Sequence, residues 1–473
     1  MQALTLKDQA LRMTGIFSEI INDDILIASK LEELEIPAPS ATTNEGFKLR
    51  LVCSKWWARA LTVKSQRTRE ANHIDNGIVK KGRQIYVSND LHKTVQDRAK
   101  KSLQVMASKV CVSDEGDELE MLQLMEKSLS NPNNKLAELM VRMSGFEEYA
   151  KEMGHVGEFY TITCPSKYHK FSKGSFNENY QYNPKEAQAY LVKQWSLIRA
   201  SLARAGASVY GFRVAEPHHD GCPHWHMMLF MDESCRKEVR EIIHFYATAE
   251  DGEELNHDNC CQPLKPIFNK PHRAPCSARF TAVSIDYNRG TATGYIAKYI
   301  AKNIGFGIGD DSEDKEKSTK DVYTRVKAWA STWGIRQFQQ IGGAPVSVWR
   351  ELRRLKDDDL IEDEIINKAR ICADESNWCE FLKIMGGADA KRVEQSLKLL
   401  KKNDINKQTG EVMTNRYSEI VLKVFGVCSL ATEQLTRFKK WEILTKTEAE
   451  NIELDEGYEP YRSGSFSPLE FCL

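Results

Sequence analysis

An excess of charge of either sign is missing from this chain of 473 residues: 66 Lys and Arg stand against 67 Asp and Glu. Net charge therefore gives no sign of a polyanionic partner, and any nucleic-acid contact must come from where the charges sit. No apolar run reaches the roughly 20 residues needed to span a bilayer, and the amphipathic, acid-bearing N-terminus from Leu4 onward lacks the pattern of a secretory signal. None of the 12 cysteines falls in a Cys-x-x-Cys pair. That argues against a disulfide framework and predicts reduced thiols in a soluble, cytoplasmic protein. The adjacent Cys260 and Cys261, with His257, lack the second pair a zinc site needs and read as solvated loop. The Gly-Lys dipeptide of a Walker A loop is also absent, so no nucleotide cofactor is expected, and no segment repeats.

What is present divides into three stretches. Residues 1–150 read as helical, with apolar positions such as Ile16, Ile20 and Ile21 set among charges. Within them, Lys48 to Lys101 is rich in Lys and Arg, and it contains Trp56 and Trp57. A solvated helical face and a DNA-contacting one fit that composition equally. From Gly154 the pattern changes. Val156–Cys164 reads as a strand, Pro184 to Gly206 as a helix, and Ser208–Glu216 with His224–Met231 as a hairpin around a His-Asp-Gly turn. Another helix follows at 236–249, a strand at 278–286 and a helix at 291–303. This interleaving predicts an α+β domain over 151–345 with a largely antiparallel sheet flanked by helices. Residues 346–473 read as mostly helical and include an acidic patch from Asp357 to Glu364.

Two constellations carry chemistry. His224 and His226, at i and i+2 of a strand, project from one face and can grip one divalent ion. With Asp220 at the centre of the hairpin, Glu216 lies opposite His224 and supplies a carboxylate to the same face, with His218 and His219 as alternative third ligands. Two imidazoles and a carboxylate leave positions open for water and a phosphate oxygen. Some seventy residues on, Tyr295 and Tyr299 stand one helical turn apart, and together with Lys298 and Lys302 they fall within an arc of about 100°. Ile296, Ile300 and Ile304 take the other side, so the tyrosines belong to the polar face. A phenol ionises near pH ~10, so attack near neutrality needs help, which Lys298 can give electrostatically. Downstream, Arg336, Gln337 and Phe338 mix charge, amide and ring as a surface for unstacked bases would, or else form a sheet strand with Phe338 in the core.

The ordered segments Phe159–His169, Tyr210–Gly221, His224-Trp225-His226, Gly294–Asn303 and Trp333–Gly343 together resemble the bacteriophage replication gene A protein family, rolling-circle initiators of the HUH endonuclease class. The likeness runs roughly from residue 45 to 375. It implies that His224 and His226 hold Mg²⁺ or Mn²⁺ and that Tyr295 or Tyr299 attacks an origin phosphate. A 5′-phosphotyrosyl link and a free 3′-OH for a host polymerase result, while a partner helicase unwinds the duplex in the bacterial cytoplasm. The other readings are a relaxase or transposase-type nuclease of the same superclass, a metal-dependent hydrolase that makes no use of the tyrosines, and a non-catalytic origin-binding protein.

Overall fold

The computed structural model describes residues 5–172, 175–255, 275–287, 291–294, 296–297, 300, 319–356, 359–406 and 409–447. Two compact units result. One comprises residues 1–73 with 400–425, the other residues 74–399 with 426–473.

The first unit is built on the helices Leu6–Glu19, Asp24–Glu33, Asn44–Leu51 and most of Ser54–Asp75. Each of the first three opens on a side chain that accepts an otherwise orphaned N–H: Thr5, Asp23 and Thr43. Phe17, Ile27, Leu31, Leu51 and Trp57 form its core. Trp57 therefore serves packing, and Trp56 lies against the same core. The Arg50 guanidinium meets the Glu419 carboxylate at 2.6 Å and covers the Tyr417 ring at 4.1 Å.

The second unit centres on a five-stranded sheet. Its strands are β1 (Val156–Thr163), β2 (Tyr210–Pro217), β3 (Pro223–Met231), β4 (Phe280–Ser284) and β5 (Phe338–Ile341). The spatial order is β4-β1-β3-β2-β5, and every pairing is antiparallel. The α+β reading and the antiparallel sheet are thus present. β3 is central, which is why eight of its nine residues are buried. One face carries Phe159, Phe212, Val214, Met228 and Phe230 into a core shared with Met143, Phe146, Trp349, Trp378 and Phe381. The opposite face carries Trp225, whose indole donates to Gln188 on the helix Pro184–Ala205 at 3.0 Å. That helix starts and stops as its sequence predicts. Asn183 and Glu186 make a capping box, and Gly206 ends it at φ 69°.

One terminal expectation needs correction. The described residues up to 150 are mainly helical, interrupted by the strands Lys109–Ser113 and Glu118–Glu120, but the described residues of 346–473 are not mostly helical, because beyond the helix Trp378–Ile384 come the strands Lys398–Asn403, Leu422–Cys428, Glu433–Leu435 and Trp441–Thr445. Lys109–Ser113 pairs with Trp441–Thr445, Val110 opposite Leu444, and Leu422–Cys428 pairs with Glu433–Leu435. The β-branched and aromatic run from Leu422 to Cys428 could have been read locally; the pairing of residues more than three hundred positions apart could not. Most of the Gly305–Lys320 stretch, and Cys260, Cys261 and His257, lie outside the described residues. The described cysteines are free thiols, and among the described residues no helix is long and apolar enough to cross a membrane.

In the same unit, Asp363 caps the helix Glu364–Asp374, accepting from the Ile365 and Ile366 amides at 2.9 and 3.0 Å. Ser429 and Thr432 donate to its other oxygen. The Ser429 hydroxyl, helped by Thr432 and the two amides and opposed by burial, holds the Asp363 carboxyl down at about 2. Asp363→Ala is expected to cost about 1 kcal/mol at neutral pH. Because the folded value lies below the ordinary ~3.9, the contribution is complete above about pH 4 and is lost as pH falls through about 2. Urea unfolding should therefore separate mutant from wild type at pH 7 and bring them together at the acid end.

Candidate functional site

The β2–β3 hairpin has the register that its turn predicts. Glu216 faces His224, Val214 faces His226, and on the other side of β3 Thr163 faces His224 and Thr161 faces His226. Alternation along the strands then puts Glu216, His224, His226, Thr161 and Thr163 on one face. The turn is fixed from several directions. The His218 amide donates to the Cys222 carbonyl at 2.7 Å, the Trp329 indole to the Gly221 carbonyl at 2.8 Å, and the Tyr86 amide to the His219 carbonyl at 3.2 Å. Gly221 sits at φ 85°, where a Cβ would come to 3.2 Å from the Tyr86 carbonyl oxygen, so glycine is needed there twice over.

The ligand atoms of Glu216, His224 and His226 lie within 4.8 Å of one another, with His226 Nε2 3.8 Å from Glu216 Oε2. Glu216 and His226 are buried, and His224 is half-buried. Thr161 Oγ1 is 3.0 Å from His226 Nδ1, and the Phe159 ring stacks on the His226 imidazole at 5.5 Å. A hydroxyl on Nδ1 and a ring along its flank fix the imidazole with Nε2 turned toward Glu216. Of the two alternative ligands, His218 packs its ring 4.1 Å from that of His224, while His219 stacks on Tyr86. Asp220 is buried in the turn, 3.3 Å from His169 Nδ1. Burial disfavours its charge, but His169, His218 and the Cys222 amide outweigh that and hold the carboxyl below its ordinary value. A mixed oxygen and nitrogen donor set of this kind fits a divalent ion.

Tyr295, Lys298, Tyr299 and Lys302 lie outside the described residues. Their neighbours do not. Residues 292–294, 296–297 and 300 are helical, and Ala292, Ile296 and Ile300 are fully buried in the core that Phe159, Val214 and Met228 also enter. This helical segment therefore packs on the sheet face that carries the histidines. Its start is tied down by Thr291, whose Oγ1 accepts the Gly294 amide at 2.9 Å, and by Glu147, which accepts the Thr293 amide and hydroxyl at 2.8 and 2.6 Å. Arg336 is exposed just before β5, and the Ala215 amide donates to the Gln337 carbonyl at 2.7 Å. Phe338 is half-buried against the core beneath the Lys135 ammonium at 4.6 Å. Thr161 and His169 were not singled out as site residues from the sequence, and Asp220 was read as the centre of the turn alone. The place of Thr161 and His169 beside the histidines depends on β1 pairing with β3, which no local pattern reveals.

The sequence profile of the bacteriophage replication gene A protein family matches residues 34–306. The probable replication protein of Pseudoalteromonas phage PM2 is 36% identical over 408 residues, covering 85% of this chain and 60% of that protein. The replication gene A protein of Escherichia phage 186 is 35% identical over 409 residues, 84% of this chain and 56% of that one. A probable replication endonuclease from a prophage-like region of Salmonella typhi is 30% identical over 444 residues, 90% and 52% respectively. The chain thus spans little more than half the length of these relatives. No solved structure matches it. A profile match that takes in the β2–β3 hairpin and the Gly294–Asn303 motif assigns the chain to the bacteriophage replication gene A protein family.

Proposed function

We propose that this protein is a metal-dependent DNA endonuclease of the HUH type that starts rolling-circle phage replication by nicking one strand and staying joined to it. The observation that carries this reading is the convergence of Glu216, His224 and His226 on the sheet face against which Ile296 and Ile300 pack. In the sequence, Tyr295 and Tyr299 each immediately precede one of these isoleucines. Glu216, His224 and His226 would hold Mg²⁺ or Mn²⁺, which when bound polarises a phosphate oxygen.

The remaining chemistry belongs to the chain. A phenol of Tyr295 or Tyr299 gives up its proton and its oxygen attacks the phosphorus. The bond from phosphorus to the 3′ oxygen breaks, and that oxygen leaves as a hydroxyl after taking a proton. One phosphodiester is exchanged for one phosphotyrosyl ester, so no nucleotide is consumed. Lys298 opposes the negative charge that develops, and Lys302, Arg336 and Gln337 contact the strand, while Phe338 packs beneath Lys135 against the core. The free 3′-OH would serve a host polymerase, and a host helicase would unwind ahead of it in the bacterial cytoplasm. A denaturing gel of labelled origin strand tests the reading directly: labelled DNA that migrates with the protein supports it, and free DNA alone rejects it.

Two smaller effects follow. Thr161→Val keeps the side-chain shape but removes the hydroxyl on His226 Nδ1, so Mn²⁺ affinity by calorimetry should fall roughly 10- to 100-fold. An unchanged affinity would remove Thr161 from the site. Arg336→Ala should weaken single-strand binding and lower the slope of log K against log salt by about 0.7, one phosphate contact, as read by anisotropy across a salt series.

A further inference from the structure

Beyond β1, the chain passes through the single turn Ser166–Tyr168 to His169 and enters a small ribbon, Phe171–Ser172 paired with Ser175–Phe176, with Phe171 opposite Phe176. The Asn177 amide fastens its base by donating to the Ser166 and His169 carbonyls, each at 2.8 Å. From there a line of imidazoles leads to the candidate metal ligands. The His169 and His218 rings are 4.9 Å apart, and the His218 and His224 rings 4.1 Å. The ribbon thus rises directly beside the site.

Its surface combines rings with two lysines. Phe171 and Phe176 form an edge-on pair at 6.1 Å, and Phe176 is 56% exposed. The Lys80 ammonium sits 5.2 Å over Phe171; that of Lys170 sits 4.2 Å over Phe176 and 4.9 Å over Tyr180. Among the described residues neither lysine has a carboxylate partner, although Lys170 is only 8% exposed. Ring faces offset part of the cost of holding a half-dehydrated ammonium, but they add no negative charge. An occupant that supplies both flat faces for the ring and anionic groups for the lysines completes this surface. Duplex bases are stacked on each other and present only edges, whereas an unpaired strand presents faces and phosphates together.

We infer that the Phe171–Phe176 ribbon, with Lys80 and Lys170, is a docking platform for unpaired DNA next to the cleavage site, a base stacking on Phe176 and phosphates meeting the lysines. This rests on the reading of the protein as acting on DNA. The test measures anisotropy of labelled oligothymidine and of a labelled duplex of equal length, in EDTA so that no cleavage intervenes. Phe176→Ala should weaken oligothymidine binding roughly five- to 150-fold, the cost of one lost base stack, with duplex binding unchanged. Phe176→Trp should retain binding, and Lys80→Gln should lower the single-strand salt slope by about 0.7. Wild-type affinity in Phe176→Ala, an equal loss for duplex and single strand, or no oligothymidine binding by wild type would overturn the platform. A wild-type protein that forms no covalent adduct, yet loses oligothymidine binding on Phe176→Ala, would overturn the endonuclease reading and leave the platform standing.

Discussion

Replacing His224 or His226 with alanine is expected to abolish strand cleavage while leaving most of the DNA affinity. In the proposed mechanism binding would come from phosphates and bases spread along the strand, and the imidazoles would contribute to reaction at one phosphate. Removing a single preorganised stabiliser of developing charge costs about 10²–10³ in rate, and loss of a metal ligand should cost at least that. The two histidines are not equivalent. His226 is buried, flanked by Phe159 and bonded to Thr161, so its truncation also opens a gap in the sheet face, whereas half-buried His224 tests ligation more cleanly. EDTA should reproduce either mutant, and added Mn²⁺ should restore wild type but neither variant. Cleavage at the normal rate in chelator would end the metal assignment. Glu216→Ala should raise the metal concentration needed for half-maximal cleavage; an unchanged titration would move the carboxylate's role to His218, whose ring lies against His224.

A comparable loss is expected at the tyrosines, though only when both are changed. Tyr295→Phe and Tyr299→Phe should each still form some protein–DNA adduct, and the double substitution none. Phenylalanine keeps the ring and omits the attacking oxygen, so the loss cannot be ascribed to a packing defect. The apolar side of this helical segment is untouched by either change, since Ile296 and Ile300 provide its anchorage in the core. Each single mutant should nick but fail at the second transfer, which needs a free phenol while the first still holds DNA. Lys298→Ala should slow the reaction without stopping it, because an ammonium aids charge development and forms no bond. Peptide mapping of trapped adducts decides the matter. Attachment at a third residue would overturn the pair, and attachment at one tyrosine in every trapped adduct would leave the other a positioning role.

The hairpin shows how far the sequence reaches and where it stops. A strand has a period of two and a tight turn has a centre, so His224, His226 and Glu216 could be set on one face from their numbers alone, and the ladder pairs Glu216 with His224 as that arithmetic requires. The helix Pro184–Ala205 was equally legible, because capping and glycine termination are chemistry of adjacent residues. The same locality gave the apolar stripe of Ile296 and Ile300 and the polar setting of the tyrosines in the pattern. Phe338 was open between a base-stacking surface and a strand, since one aromatic among charged and amide side chains fits both; it lies half-buried on β5.

Tertiary structure decided what depends on segments far apart in the chain. That β1 lies against β3, and so brings Thr161 to His226 across 65 positions, follows from sheet order and not from any local period. The descent of His169 beside Asp220, and the rise of the Phe171–Phe176 ribbon next to the histidines, have the same origin. So has the pairing of Lys109–Ser113 with Trp441–Thr445, where strands stand in stretches that read as helical. The physical reason is common to all of these. Helix caps, turns and one-face alternation are fixed by interactions within a few residues, whereas strand order and side-chain clustering are selected by burial of the whole apolar surface at once, which no short window of sequence contains.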